Sequence, residues 1–383
     1  MKIGIVLYPT YGGSGVVATE LGKALAKKGH QIHFITYSQP VRLGSFRENI
    51  FYHEVAVSNY PLFEYQPYET ELASKMVDVV KHEKLDLLHV HYAIPHASAA
   101  LMAQQILDSQ GIHIPFITTL HGTDITLVGR DKSFEPVITY CINKSNAVTT
   151  VSQSLKDDTL KHFKVCREIK VIPNFIKVDK EDKEINLEHR RKYATDDEII
   201  LTHVSNFRKV KRVEDVVKIF DKVNKVQKGK LLLIGDGPER YNIERPCREL
   251  NICSRVVTVG KIRDTASLVK LSDLFILPSE TESFGLAALE AMAQGVPVIS
   301  SNTGGIPEVN KHGYSGYLSN VGDIEDMSNN AIKLLKDKTV LQNFKKQAKE
   351  QALKFDIQKI IPLYENLYRN VIKSNSEVSI KTN

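Results

Sequence analysis

Glu282 and Glu290 are the residues of this 383-residue chain whose type and spacing most directly suggest chemistry. They bracket the stretch ESFGLAALE. On a helix, eight steps leave two side chains about 80° apart around the axis and about 12 Å along it. Gly285 and the Ala-Leu-rich run after it predict a helix that starts between the two acids. Glu282 then lies in the loop before the helix, and Glu290 about two turns inside it. The first-turn N–H groups, from Phe284 to Ala287, have no helical partners and make a ready phosphate site. One acid can reach a sugar beside that phosphate, and the other a ribose. Two glutamates alone would describe an ordinary solvated helix. Three neighbouring features favour a nucleotide-sugar cradle. Phe284-Gly285 lets a ligand approach the backbone. GVPVISS reads as a turn and a buried parallel strand. Gly304-Gly305 supplies a second flexible turn.

Other residues with chemical potential sit where strands end. YGGSG (Tyr11 to Gly15) follows the first strand and opens the first helix, so Gly12 and Gly13 permit a tight turn and close approach of a phosphate. It is not the GxGxxG fingerprint of dinucleotide sites. His121 and Gly122 follow the strand IPFITTL, at the carboxyl edge where open α/β sheets bind ligands. SNFRKVKR (Ser205 to Arg212) follows the first strand of the second half and carries four cations, Arg208, Lys209, Lys211 and Arg212. No Asp-x-Asp triplet occurs in the sequence. A metal-dependent sugar-nucleotide site usually needs such hard oxygen ligands. A diphosphate neutralised by cations of this loop and helix-end amides, with no metal, is therefore expected.

These residues need elements to position them. The first half alternates KIGIVLY, QIHFITY, LDLLHVHY, IPFITTL, NAVTTVS and IKVIPNF with helical patterns, among them a helix from Val16 to Lys28 closed by Gly29. This is the rhythm of βαβ units and a parallel sheet. Lys177 to Glu198 is highly charged and reads as a linker with one short helix. The alternation resumes with IILTHVSNF, KLLLIGDG, RVVTVG and DLFILPS. Amphipathic helices are expected near Lys338–Lys354 and Asp356–Lys373, followed by a disordered polar tail, SNSEVSIKTN.

Composition bounds the class. The length suits two domains of ordinary size. Hydrophobic content of 42% and charged content of 25% describe a soluble globular chain, and a net charge of +6 fits a small anionic substrate and plain solubility equally well. No aromatic-basic repeat argues for nucleic acid. No apolar run approaches the ~20 residues of a membrane span. The N-terminus enters a strand at once without signal-peptide architecture, so a cytoplasmic setting is expected. Cys141, Cys166, Cys247 and Cys253 lack metal-ligand spacing and read as reduced thiols. Self-association is left open.

With these motifs in view, the chain resembles the retaining glycosyltransferases of family 4, which have the GT-B fold. The resemblance covers nearly the whole chain. Glu282 and Glu290 match the family's Glu-x7-Glu signature, and TTLHGTD resembles the segment of its active-site histidine. Arg208 and Lys211 match the basic pair that clamps the pyrophosphate, although Asn206 and Arg212 stand where glycine is frequent. IGDGPE resembles the loop beneath the nucleotide, and VGKIRD the edge that contacts uracil.

The resemblance implies an α/β protein of two doubly wound Rossmann-like domains with a cleft between them. Residues 1–176 would bind the acceptor, joined by a C-terminal helix at 357–383, and residues 177–356 would bind the nucleotide-sugar. The catalytic set it implies is His121, Arg208, Lys211 and Glu282. The donor set is Gly13, Ser205, Gly235, Lys261, Ser283, Phe284, Gly285, Leu286 and Glu290. GGSGVVATELG, HVHYAIPHA, TTLHGTDIT, SNFRKVKR and ETESFGLAALEAMA resemble the bacillithiol-pathway branch of the family. That implies UDP-N-acetylglucosamine as donor and L-malate as acceptor, with Ser14, Tyr92, Thr119 and Asn174 as acceptor candidates.

The implied reaction is retaining transfer, in which the leaving phosphate takes the acceptor's proton, Glu282 orients the sugar and Glu290 holds the ribose. Domain closure would expel water. Competing readings are a family 4 transferase with a lipid or sugar acceptor, a UDP-N-acetylglucosamine 2-epimerase, and a non-catalytic nucleotide-binding module.

Overall fold

In the computed structural model, which describes residues 1–10, 12–44, 48–56, 65–127, 129, 131–178 and 187–382, the strands form two parallel sheets. The chain divides into two units, Met1–Phe175 with Ile357–Asn383, and Ile176–Asp356. The first unit contains β1 (Lys2–Val6), β2 (Gln31–Thr36), β3 (Ile50–Glu54), β4 (Leu87–His91), β5 (Phe116–Leu120), β6 (Ala147–Thr150) and β7 (Ile169–Val171). Their order is β3-β2-β1-β4-β5-β6-β7, all parallel. Strand order therefore reverses between β1 and β4, and the loops leaving these two strands diverge there. Open α/β sheets bind ligands at this kind of crevice.

The second unit repeats the plan with β8 (Ile199–Ser205), β9 (Gly229–Gly235), β10 (Val256–Gly260), β11 (Leu274–Leu277), β12 (Val298–Ser301) and β13 (Gly316–Ser319). The order is β10-β9-β8-β11-β12-β13, again all parallel, with the reversal between β8 and β11. Helices on both faces bury the strands, which is why β4, β5 and β11 are buried at every residue rather than alternating. The core of the second unit gathers Leu201, Leu231, Leu233 and Ile276 from the sheet with Val216, Val217, Phe220 and Leu334 from helices.

The C-terminal helix Ile357–Thr382 belongs to the first unit. Its Tyr368 hydroxyl bonds His89 Nδ1 of β4 at 2.7 Å. Glu365 accepts from Lys28 Nζ at 2.6 Å and meets His30 Nε2 at 3.0 Å.

The structure corrects several expectations. The first helix is Gly13–Lys27, so Gly13 and Ser14 are inside its first turn and Gly12, with φ −66°, is its extended N-cap. Tyr11 lies outside the described residues. Residues 374–382, expected to be disordered, continue the last helix. The short helix in the linker is Leu187–Arg191, and residues 179–186 lie outside the described set. Strands β3 and β13 were not read from the sequence. All four cysteines are free, Cys141 and Cys247 buried and Cys166 and Cys253 exposed. Among the described residues no helix is long and apolar enough to cross a membrane.

Candidate active site

The loops leaving β8 and β11 meet across the reversal point of the second sheet. Lys211 Nζ donates to the Glu282 carboxylate, both side chains being largely buried. The backbone supports that meeting, since Glu280 N–H donates to the Val210 carbonyl at 2.8 Å. The Glu282 carbonyl accepts the Gly305 N–H at 2.9 Å. Gly304, with φ 54°, sits so close beneath that a Cβ would run into the Glu282 carbonyl oxygen. Only glycine lets the loop after β12 back the Glu282 loop this tightly.

Gly285, with φ 93°, is the N-cap of the helix Leu286–Ala293. The first intrahelical bond is Leu289 N–H to the Gly285 carbonyl, at 3.0 Å. The N–H groups of Leu286, Ala287 and Ala288 therefore precede the hydrogen-bonded ladder and carry the positive end of the helix dipole. These amides begin two residues and end one residue later than the expected Phe284–Ala287 set. Glu290 is half-buried within this helix, about one turn past its start. The Phe284 side chain is buried edge-on to Phe355, with centroids 5.6 Å apart, so its ring packs the core. Ser283 is half-buried in the loop.

Of the four cations after β8, two have carboxylate partners. Arg212 Nε donates to Asp215 at 2.6 Å, whereas Lys211 turns to Glu282. Arg208 and Lys209 are exposed, and neither has an ion pair among the described residues. Ser205 supports its own loop: its hydroxyl accepts the Phe207 N–H at 3.3 Å and meets His203 Nε2 at 2.8 Å. Gly235 ends β9 so close to β8 that a Cβ would strike the Ser205 carbonyl oxygen. Lys261 follows the edge strand β10 and is exposed, two strands away from β8. It is therefore not brought to the Lys211–Glu282 pair.

In the first unit the reversal point carries a second constellation. The hydroxyls of Ser14, after β1, and Tyr92, after β4, are 2.5 Å apart. Tyr92 has φ 90°, rare for a side-chain-bearing residue. Its backbone is held by N–H donation to the Thr119 carbonyl at 2.9 Å and by acceptance from Ala97 N–H at 3.2 Å. Beside it, His121 Nε2 and His91 Nδ1 are 2.7 Å apart. Burial holds His121 down to about 3 and His91 well below its ordinary value, so both rings are neutral at neutral pH. Asp124 ties the loops after β4 and β5 together by accepting Ala93 N–H at 2.8 Å and Gly122 N–H at 3.1 Å. Burial pushes its carboxyl up to about 6, against the pull of those hydrogen bonds.

Two acceptor candidates separate here. Asn174 is buried, and its Oδ1 has no hydrogen-bond partner among the described residues. Thr119 is fully buried, and its hydroxyl is shared with His89 Nε2 and Thr149 Oγ1, each at 2.7 Å. Thr119 therefore locks β4, β5 and β6 together and presents nothing to a substrate. Sequence reading missed His91 and Asp124. The period-2 spacing of His89 and His91 on a buried strand, within HVHYAIPHA, was the available signal.

The model of the family described as "Glycosyltransferase Family 4" matches residues 11–180, and that of "Glycosyl transferases group 1" matches residues 185–351. The chain is 47% identical over 382 residues to the N-acetyl-alpha-D-glucosaminyl L-malate synthase of Bacillus anthracis, covering 99% of this chain and 100% of that one. Among solved structures it is similar to the sucrose-phosphate synthase of Thermosynechococcus elongatus, with a TM-score of 0.80 at 21% identity, covering 98% of this chain and 100% of that one. Anabaena HepE in complex with UDP and glucose gives a TM-score of 0.78 at 19% identity over 96% of this chain and 99% of its own. Both structural likenesses establish the GT-B fold.

Proposed function

This chain belongs to the family 4 glycosyltransferases, and from that premise we infer that it moves N-acetylglucosamine from UDP-N-acetylglucosamine to the hydroxyl of L-malate. The observation that carries the reading is 47% identity to a relative of that activity along essentially the full length of both chains. The proposed chemistry is retaining and needs no metal, and its proposed setting is the cytoplasm.

The donor half belongs to the second unit. The diphosphate lies against the amides of Leu286 to Ala288 and is neutralised by Arg208 and Lys211. The Lys211 ammonium has three N–H donors, of which Glu282 engages one, so the others can serve phosphate oxygens. Glu282 thereby aims Lys211 while its own carboxylate orients the sugar hydroxyls. Glu290 takes the ribose.

The acceptor half belongs to the first unit, where Ser14, Tyr92 and Asn174 offer hydroxyl and amide groups to a dicarboxylate. The malate oxygen forms a bond to C1 of the sugar as the bond from C1 to the β-phosphate oxygen breaks. The malate proton passes to that phosphate oxygen. Charge building on the leaving group is stabilised by preset donors, usually the largest single catalytic effect. His121 acts as a neutral hydrogen-bonding group toward the sugar, because burial keeps its ring from being a cation.

Product analysis tests this reading. Incubation with UDP-N-acetylglucosamine and L-malate should yield a single glycoside with the mass of the two joined less UDP, and its anomeric proton should report the α configuration of the donor. A β-linked product would reject retention, and free N-acetylglucosamine or its 2-epimer as the sole sugar product would reject transfer.

A further inference from the structure

His33, His53 and Glu83 form a cluster that the transfer reaction does not use. His33 is on β2 and His53 on β3. The strand register pairs His33 with Phe51 and Ile35 with His53, so the two histidines are diagonal neighbours on one face of the sheet. His33 Nδ1 and His53 Nε2 are 2.9 Å apart, and the rings lie nearly parallel with centroids separated by 5.2 Å. Glu83 is the last residue of the helix Tyr68–Glu83 that packs beside these strands. One ligand atom from each of the three residues lies within 4.8 Å of the other two.

We propose that His33, His53 and Glu83 bind a first-row transition-metal dication of the zinc type. Two imidazole nitrogens and a carboxylate are a ligand set that suits such a cation and leaves a fourth position for water. The nitrogen spacing needs little change, whereas the two rings, which meet head-on across their hydrogen bond, must each tilt by about 35° and Glu83 must move in to share one ion. Zn–N bonds of about 2.0–2.1 Å at a tetrahedral centre separate the two nitrogens by about 3.3 Å. The imidazoles would part by only a few tenths of an ångström, exchanging their mutual hydrogen bond for two metal bonds. Phe51 stacks on His33 at 4.7 Å and fixes that ring. His33 is buried, whereas His53 and Glu83 are half-buried, so a solvated cation can reach the site. Metal ligation requires neutral imidazole, and burial lowers the proton affinity of both rings. The surrounding charge is balanced: Lys2, on the Glu83 carbonyl at 2.9 Å, and Lys75 face the cluster, as does Asp78.

The site is remote from the substrate loops within its own unit. Glu83 ends the helix that leads into β4, at the amino-terminal edge, and His33 and His53 lie within the outer strands β2 and β3, outside the β1–β4 reversal point. Ser14, Tyr92 and His121 lie at the carboxyl edge. The metal would therefore clamp β2, β3 and the helix together and take no part in transfer.

Cobalt(II) titration of the chelator-stripped full chain tests the proposal, with competition between zinc and a chromophoric chelator giving the affinity. Cys166→Ser and Cys253→Ser in the background remove the exposed thiols as ligands. The expected result is one equivalent bound, visible d–d bands of a four-coordinate nitrogen–oxygen site, and a zinc-dependent rise in Tm. His53→Ala should weaken binding by about 100-fold or more, and Glu83→Gln by at least about tenfold. Transfer activity should be unchanged in both. Far-UV circular dichroism establishes that each variant is folded, and Glu83→Gln carries the test should His53→Ala not fold. Absence of saturable binding by the unsubstituted site, or binding that keeps its affinity and stoichiometry in the folded variants, would overturn the proposal.

Discussion

The hydroxyls of Ser14 and Tyr92 lie 2.5 Å apart across the point where the strand order of the first sheet reverses. One stands in the first turn of a helix and the other on a backbone at φ 90°. Such a conformation persists only when its surroundings impose it. The pairing presents two hydroxyls side by side, a suitable reception for a carboxylate or an alcohol.

From this follows a contrast among the acceptor candidates. Tyr92→Phe and Asn174→Ala should each raise the KM for malate about 10–150-fold, the cost of losing a hydrogen bond to a charged group. The KM for UDP-N-acetylglucosamine should stay nearly constant. Thr119→Val should do the opposite, leaving the malate KM within about twofold while lowering Tm, since it strips partners from buried His89 and Thr149. Steady-state kinetics with thermal melts read both. A malate-specific defect in Thr119→Val would return that residue to the acceptor site.

The Lys211–Glu282 pair makes a second prediction. Each alanine variant should lose about 100-fold or more in kcat. Their double variant should lose much less than the product of the two, because residues acting as a unit are non-additive. Fully multiplicative losses would mean that the two side chains act independently on the donor.

Metal removal is the third. Turnover in excess EDTA should stay within about twofold of the untreated rate, because the donor loops carry no paired aspartates and the proposed His33–His53–Glu83 site stands apart from them. Activity lost on chelation and restored by Mg²⁺ would contradict a donor diphosphate held by Arg208, Lys211 and helix amides.

The fourth concerns pH. Burial holds His33, His96 and His203 down to about 4, and His89 and His121 to about 3. Their unfolded forms take up protons near 6.5 while the folded forms do not. Their contribution to stability is complete above about 6.5 and is lost as pH falls toward 3 to 4. Asp124, pushed up to about 6, works in the opposite sense, favouring the fold below its unfolded value and losing that contribution as pH rises through about 6. Five histidines against one carboxyl give a Tm that falls on acidification from pH 6.5 to 4. A flat Tm over that window would show that these rings are protonated within the fold.

How much of this was legible in the sequence depended on how local the determinant was. Gly285 before an Ala-Leu run marks a helix start without tertiary information, and the buried run FITTL before His121 marks a strand edge. Strand β3, IFYHE, is half-exposed at the sheet edge and follows residues of no clear period, and β13 is four residues embedded among glycines. Neither announces itself. Thr119 was misplaced because a strand pattern cannot say which neighbour consumes a hydroxyl; here the neighbours are 30 residues away on either side. The Phe284 ring turns to Phe355, again a long-range contact, which leaves only its backbone for the expected donor role. The polar tail is helical because Ile357–Thr382 is anchored earlier, through Glu365 and Tyr368, and the backbone propagates beyond those anchors. His33, His53 and Glu83 are scattered over 50 positions and are joined only by the sheet register and the following helix.

The most direct test of the account is the dependence of UDP release on malate. Purified protein given UDP-N-acetylglucosamine alone should release UDP only at a slow background rate, and L-malate should raise that rate at least about 100-fold, saturably. A malate analogue lacking one carboxylate should be a much poorer acceptor, because it leaves the site's donors unpaired. If malate left UDP release unchanged, family membership and fold would stand, but the proposed acceptor and the reaction built on it would be wrong.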